Sequence, residues 1–93
     1  MTNRRILLIE DNEQNRYLAT FLLQARGWEI TAANDGPSGL ALASALDPAL
    51  ILLDIQLPGM DGYEVARALR AEITTTATPI VAVTSYAMPG DRE

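Results

Sequence analysis

The sequence contains no cysteine and no histidine. Without cysteine there can be no disulfide, no thiolate metal site and no thiol nucleophile. Without histidine, zinc chemistry would have to rest on carboxylates alone, an uncommon arrangement for that ion. Lysine is missing as well: the seven basic residues are all arginines, set against 12 acidic residues for a net charge of −5. Nucleic-acid surfaces depend on clustered Lys and Arg, so this balance argues against one. Long apolar runs are absent too. The first, residues 6–9, is interrupted at once by Glu10 and Asp11, too short for a signal sequence or a membrane span. The expectation is a soluble, cytoplasmic protein with neither membrane nor nucleic acid as partner.

What remains is a chain of 93 residues, 48% of them apolar. That suffices for one compact domain with little surplus of buried surface over conformational entropy. Residues 5–9 end in four consecutive branched aliphatics, the pattern of a strand covered on both faces. Residues 13–26 carry Leu18, Leu22 and Ala25 with Phe21 beside them, a helical stripe followed by Gly27 where a left-handed cap is wanted. Residues 28–32 form a short second strand, and Asn34, Asp35, Gly36 and Pro37 supply loop chemistry leading into a first helical turn. The next helix carries Leu40, Leu42, Ala43 and Leu46 and stops at Asp47 and Pro48. Residues 49–53 repeat the buried-strand pattern and again end at a carboxylate, Asp54. A turn-rich loop through Pro58, Gly59 and Gly62 leads to a third helix, residues 63–73, with Val65, Leu69 and Ile73 four apart. Residues 80–83 form a fourth strand ending at Thr84. Strand and helix alternating throughout imply a parallel α/β sheet with right-handed crossovers.

Ligands of open parallel sheets bind outside the carboxyl ends of the strands. Glu10, Asp11, Asp54 and Thr84 all fall there. Each feature alone has an ordinary explanation: acidic residues suit the start of a helix, and aspartate or threonine commonly ends a strand. If the first, third and fourth strands are neighbours, however, three carboxylates and a hydroxyl converge on one rim. Each carboxylate then raises the pKa of the others, a conflict that a hard divalent cation resolves. An all-oxygen ligand set favours Mg²⁺, which keeps waters that a phosphate oxygen can replace. Phosphoryl transfer with Asp54 as nucleophile and Thr84 as hydroxyl donor fits that set.

Three motifs, residues 6–12 (ILLIEDN), 52–62 (LLDIQLPGMDG) and 79–84 (PIVAVT), resemble those of response-regulator receiver domains of two-component signalling. They are similar in particular to those of single-domain cell-polarity regulators and of receivers attached to hybrid kinases. The resemblance spans the whole chain. It implies a flavodoxin-like doubly wound sheet of strand order 2-1-3-4, with a Mg²⁺ site at Glu10, Asp11, Asp54 and the backbone carbonyl of Gln56. It also implies Asp54 as phosphoacceptor, Thr84 as switch hydroxyl, and a sensor histidine kinase or phosphotransfer protein as partner. The chemistry would be self-phosphorylation on aspartate rather than turnover of a substrate.

Receivers normally continue through a fourth helix, a fifth strand bearing a lysine, and a fifth helix. Residues 1–93 are therefore expected to form the N-terminal portion of a receiver, with the fourth strand an unprotected edge and apolar sheet surface uncovered beside the first helix. Self-association or marginal stability is the corresponding expectation. A phosphorylation-incompetent interaction or dimerisation module is the competing function. A magnesium-dependent hydrolase is weaker, because Gln56 stands where such enzymes commonly want an acid. A nucleotide-binding protein is weaker still, because no Walker or Rossmann glycine motif follows the first strand.

Overall fold

A computed structural model of the chain describes residues 3–54 and 62–83. Within them the order is β1 (Arg5–Ile9), α1 (Glu13–Gln24), β2 (Glu29–Ala33), α2 (Gly36–Leu46), β3 (Leu50–Asp54), α3 (Gly62–Ala71) and β4 (Ile80–Val83). The strands form one sheet in the order β2-β1-β3-β4, every pair parallel. This is the parallel α/β sheet that the alternating pattern predicts, in the doubly wound strand order that the resemblance implies.

Ile6, Leu7, Leu8 and Ile9 are all buried, which explains why β1 is apolar at every position rather than at alternate ones. Leu7 and Ile9 join Ile51 and Leu53 of β3, Ala33, Ala43, Val65 and Leu69 in the main core, between the sheet and helices α2 and α3. Gly39 brings α2 close to β1: a Cβ at this position would lie 2.5 Å from Ile9 Cδ1. The side chain of Asp35 caps α2 by accepting from the Ser38 N–H at 2.8 Å, and Pro37 stands in the first turn. Asp47 closes the helix in the left-handed region at φ 52°.

The opposite face is more open. Register aligns Leu8 with Leu52 and Leu52 with Val81. Along that row exposure rises from buried Leu8 through half-buried Leu52 to Val81, which is 45% exposed. Helix α1 packs on this sheet chiefly against β2. The expected inward stripe of α1 is not what the fold uses: Leu18, Leu22 and Phe21 are each more than half exposed and no residue of the helix is fully buried. Asn15, Arg16, Ala19, Thr20 and Leu23 are the half-buried positions instead.

Several boundaries also differ from expectation: α1 ends at Gln24 rather than at 26, and β2 runs Glu29–Ala33 rather than 28–32. Strand β3 extends one residue further than the sequence suggests, so that Asp54 pairs with Val83. Helix α3 stops at Ala71, leaving Ile73 outside the helix and 90% exposed. The reason is local: the Thr75 hydroxyl donates to the Leu69 carbonyl at 2.6 Å and the Thr76 hydroxyl to the Arg70 carbonyl at 2.9 Å. These bonds satisfy carbonyls that another helical turn would otherwise have used. Arg70 Nη1 then donates to the carbonyls of Thr75, Thr76 and Thr78 at 3.1, 3.2 and 2.8 Å, folding the connector back against the helix before β4 begins.

Candidate cation and phosphoryl site

Parallel register brings the acidic residues together. Ile9 pairs with Leu53, so the next residues along, Glu10 and Asp54, sit side by side at the carboxyl ends of β1 and β3. Asp11 follows in the loop to α1. One carboxylate oxygen from each of Glu10, Asp11 and Asp54 lies within 4.8 Å of the other two. Glu10 and Asp54 are buried, at 4% and 0% exposure, while Asp11 is exposed.

Several bonds fix the loop that carries the acidic pair. The Glu10 N–H donates to the Ala33 carbonyl at 3.0 Å, tying the end of β1 to the end of β2. Glu10 Oε2 accepts from the Asn12 N–H at 3.1 Å, and Asn12 Oδ1 caps α1 by accepting from the Asn15 N–H at 2.9 Å. From the first turn of α1, Arg16 Nη1 donates to the carbonyls of Glu10 at 3.0 Å and Asp11 at 3.3 Å.

Burial raises the pKa of Glu10 above its ordinary value, and the neighbouring charges of Asp54 and Asp11 push in the same direction. The Asn12 N–H and the Asn15 side chain oppose the shift by hydrogen-bonding the charged form. Gathering carboxylates this closely costs free energy that a cation would recover. With oxygen donors only, the set suits a hard ion such as Mg²⁺, held by few carboxylates and retaining water. The donor chemistry therefore fits the cation expected from the sequence.

Of the residues anticipated from the sequence, Glu10, Asp11 and Asp54 come together, while Gln56 and Thr84 lie outside the described residues. Asn12, Asn15 and Arg16 were not anticipated as parts of the site. Asn12 had a readable signal, an N-cap residue immediately before a helix. Arg16 had none, because an arginine on a helix ordinarily reads as a solvated charge.

A doubly wound parallel sheet with an acidic, oxygen-only cluster on its carboxyl rim is the arrangement that the resemblance implies. The chain belongs to the response regulator receiver domain family, whose sequence profile matches residues 6–93. It is accordingly a receiver domain of two-component signalling. Response regulator PleD of Caulobacter vibrioides is 43% identical over 88 residues, covering 95% of this chain and 19% of PleD. The polar-differentiation response regulator DivK of Brucella ovis is 40% identical over 90 residues, covering 97% of this chain and 73% of DivK. The chain thus spans about a fifth of PleD and nearly three quarters of DivK. Among solved structures, the receiver domain of sensor histidine kinase PA1611 from Pseudomonas aeruginosa superposes with a TM-score of 0.86 at 35% identity, covering 98% of this chain and 75% of that one. That structure has a magnesium ion coordinated in its active-site cleft. Among the described residues, no helix is long and apolar enough to cross a membrane.

Proposed function

We propose that this receiver accepts a phosphoryl group on Asp54 from the phosphohistidine of a sensor histidine kinase or phosphotransfer protein, in the cytoplasm. The observation that carries the reading is the approach of Glu10, Asp11 and Asp54 to within 4.8 Å at the ends of two neighbouring parallel strands. Glu10, Asp11, Asp54 and the Gln56 carbonyl would hold Mg²⁺. When bound, the ion supplies positive charge for the oxygens of the transferring group.

A carboxylate oxygen of Asp54 forms the new bond to phosphorus as the phosphorus–nitrogen bond of the donor breaks. The electron pair of that bond stays on the nitrogen, and the imidazole leaves neutral with the proton its other ring nitrogen already carried in the donor. The product is an acyl phosphate on Asp54. Asp54 is the last paired residue of β3, and its pairing with Val83 of β4 holds its backbone. That rigidity favours a defined line of attack. Thr84, following β4 directly, is the hydroxyl that would donate to the new phosphoryl group and transmit its charge to the neighbouring loop.

Incubation with a phosphorylated histidine kinase tests this directly, with peptide mapping of the transferred group. Label on Asp54, lost in Asp54→Asn and on chelation of Mg²⁺, is the expected result. Transfer to another residue, or transfer unaffected by Asp54→Asn, would refute the assignment.

A second reading, an interaction or dimerisation module independent of phosphorylation, is favoured by a different observation. Tyr17, Leu18, Phe21 and Leu22 on α1 and Val81 and Val83 on β4 are substantially exposed. Self-association through the β4 edge would cover part of that surface.

A further inference from the structure

We infer that Arg16 is a positioning residue for the acidic cluster, holding the loop that presents Glu10 and Asp11 so that Mg²⁺ meets a preformed site. The inference rests on the cation reading proposed above and concerns a residue that supplies no ligand atom to it.

Arg16 grips the loop twice. Its backbone N–H donates to the Asn12 carbonyl at 2.9 Å, and its side-chain Nη1 reaches back to the carbonyls of Glu10 and Asp11 at 3.0 and 3.3 Å. Those two carbonyls belong to the residues that contribute two of the three clustered carboxylates. The stem of Arg16 is half-buried, and it lines a shallow depression of about 300 Å³ with Glu13, Tyr17, Thr20 and Ala32 between α1 and the end of β2.

Without a cation, the three carboxylates repel one another. Glu10 and Asp54 are buried and Asp11 is exposed, so the least costly relief is for the loop to carry Asp11 outward. A hydrogen bond to the Asp11 carbonyl opposes that movement at the backbone, without occupying a carboxylate oxygen that the ion needs. Residues outside the ligand set that orient ligands in this way typically change metal affinity about 10-fold or more when removed.

The sign of the effect separates positioning from simple electrostatics. Arg16 is a permanent positive charge close to a cation site, so charge alone makes it a brake on Mg²⁺ binding, and removing it would tighten binding. Positioning predicts the reverse.

The test is calorimetric titration with MgCl₂ of the wild-type chain, Arg16→Met, Arg16→Lys and Asp11→Asn. Urea unfolding in EDTA would be run alongside to show which variants are folded, and amide exchange would be followed at Asp11 and Asn12 in the metal-free state. The expected result is about a 10-fold loss of Mg²⁺ affinity in Arg16→Met despite the lost charge, with a smaller loss in Arg16→Lys, which keeps the charge and can reach one carbonyl. Faster exchange at Asn12 should accompany both. If Arg16→Met does not fold, Arg16→Lys decides, and wild-type affinity in that variant overturns the inference. Unchanged or tighter binding in a folded Arg16→Met also overturns it, leaving the cation site standing because Asp11→Asn would still be weakened. No Mg²⁺ binding by the wild-type chain overturns the inference and the cation reading together.

Discussion

Glu10 bears the electrostatic cost of the site. Solvent hardly reaches it, Asp54 and Asp11 lie beside it, and its pKa is raised above 4.5 chiefly by burial. In the metal-free protein the folded state therefore binds this proton more tightly than the unfolded chain does. Linkage gives the sign: the charged group destabilises the fold at neutral pH, and that penalty disappears as pH falls through the raised folded value toward 4.5. Glu10→Gln should accordingly stabilise the metal-free protein at pH 7, and its advantage should shrink as pH falls to about 4.5. Urea midpoints of both proteins in EDTA across that range would show this, and an advantage independent of pH would contradict it. Asp35 behaves oppositely. The Ser38 N–H holds its carboxyl below the ordinary value, so its stabilisation persists above pH 3.8 and is lost as pH falls through the lower folded value.

Two elements depend on single residues for their placement. Gly39 lets α2 approach β1 beside Ile9, itself fully buried and adjacent to Glu10. Gly39→Ala would gain roughly 1 kcal/mol of helix propensity, whereas forcing apart a packed core typically costs about 1–3 kcal/mol. A net loss of about 0–2 kcal/mol is expected, read as a lower urea midpoint at unchanged slope; a stabilised variant would show that Ile9 yields freely. Arg70 joins the end of α3 to the connector before β4 by bonds to three carbonyls. Arg70 is largely solvent-exposed, which limits the value of those bonds, and Arg70→Ala should cost about 1–2 kcal/mol. Faster amide exchange at Thr75 and Thr78 would mark the loss, and unchanged protection there would contradict the clamp. This connector also explains part of what the sequence conceals. Leu69 and Ile73 stand four apart, but the threonine hydroxyls end the helix between them. Periodicity says which side chains would share a face of a helix, and a side-chain cap several residues away decides where the helix ends.

At the scale of the molecule, the parallel sheet and its acidic rim were legible because they depend on features that are local in sequence. Apolar runs end at Glu10 and Asp54, and strand pairing then places those ends side by side. The exposed flank of α1 was not legible: Leu18 and Leu22 have the spacing of a packed stripe, yet spacing does not reveal whether anything covers it. Arg16 was hidden for a related reason, since its carbonyl partners are set by the path of the loop. The exposure gradient from Leu8 to Val81, with Val83 at 39%, leaves apolar surface open toward β4. Such surface ordinarily finds a partner, and the 93-residue chain is expected to sediment as a concentration-dependent mixture of monomer and dimer. Substituting charge at Val81 should shift it to monomer. A wild-type chain that stays monomeric at high concentration would remove the basis for the dimerisation reading.

The central claim is that Asp54 is a phosphoacceptor served by a cation at Glu10 and Asp11. Intact-mass spectrometry tests it most directly, with a small-molecule phosphodonor, with and without Mg²⁺, and with Asp54→Asn alongside. The predicted result is one phosphoryl adduct that requires both Mg²⁺ and Asp54. No adduct on the wild-type chain, or an equal adduct on Asp54→Asn, would contradict it.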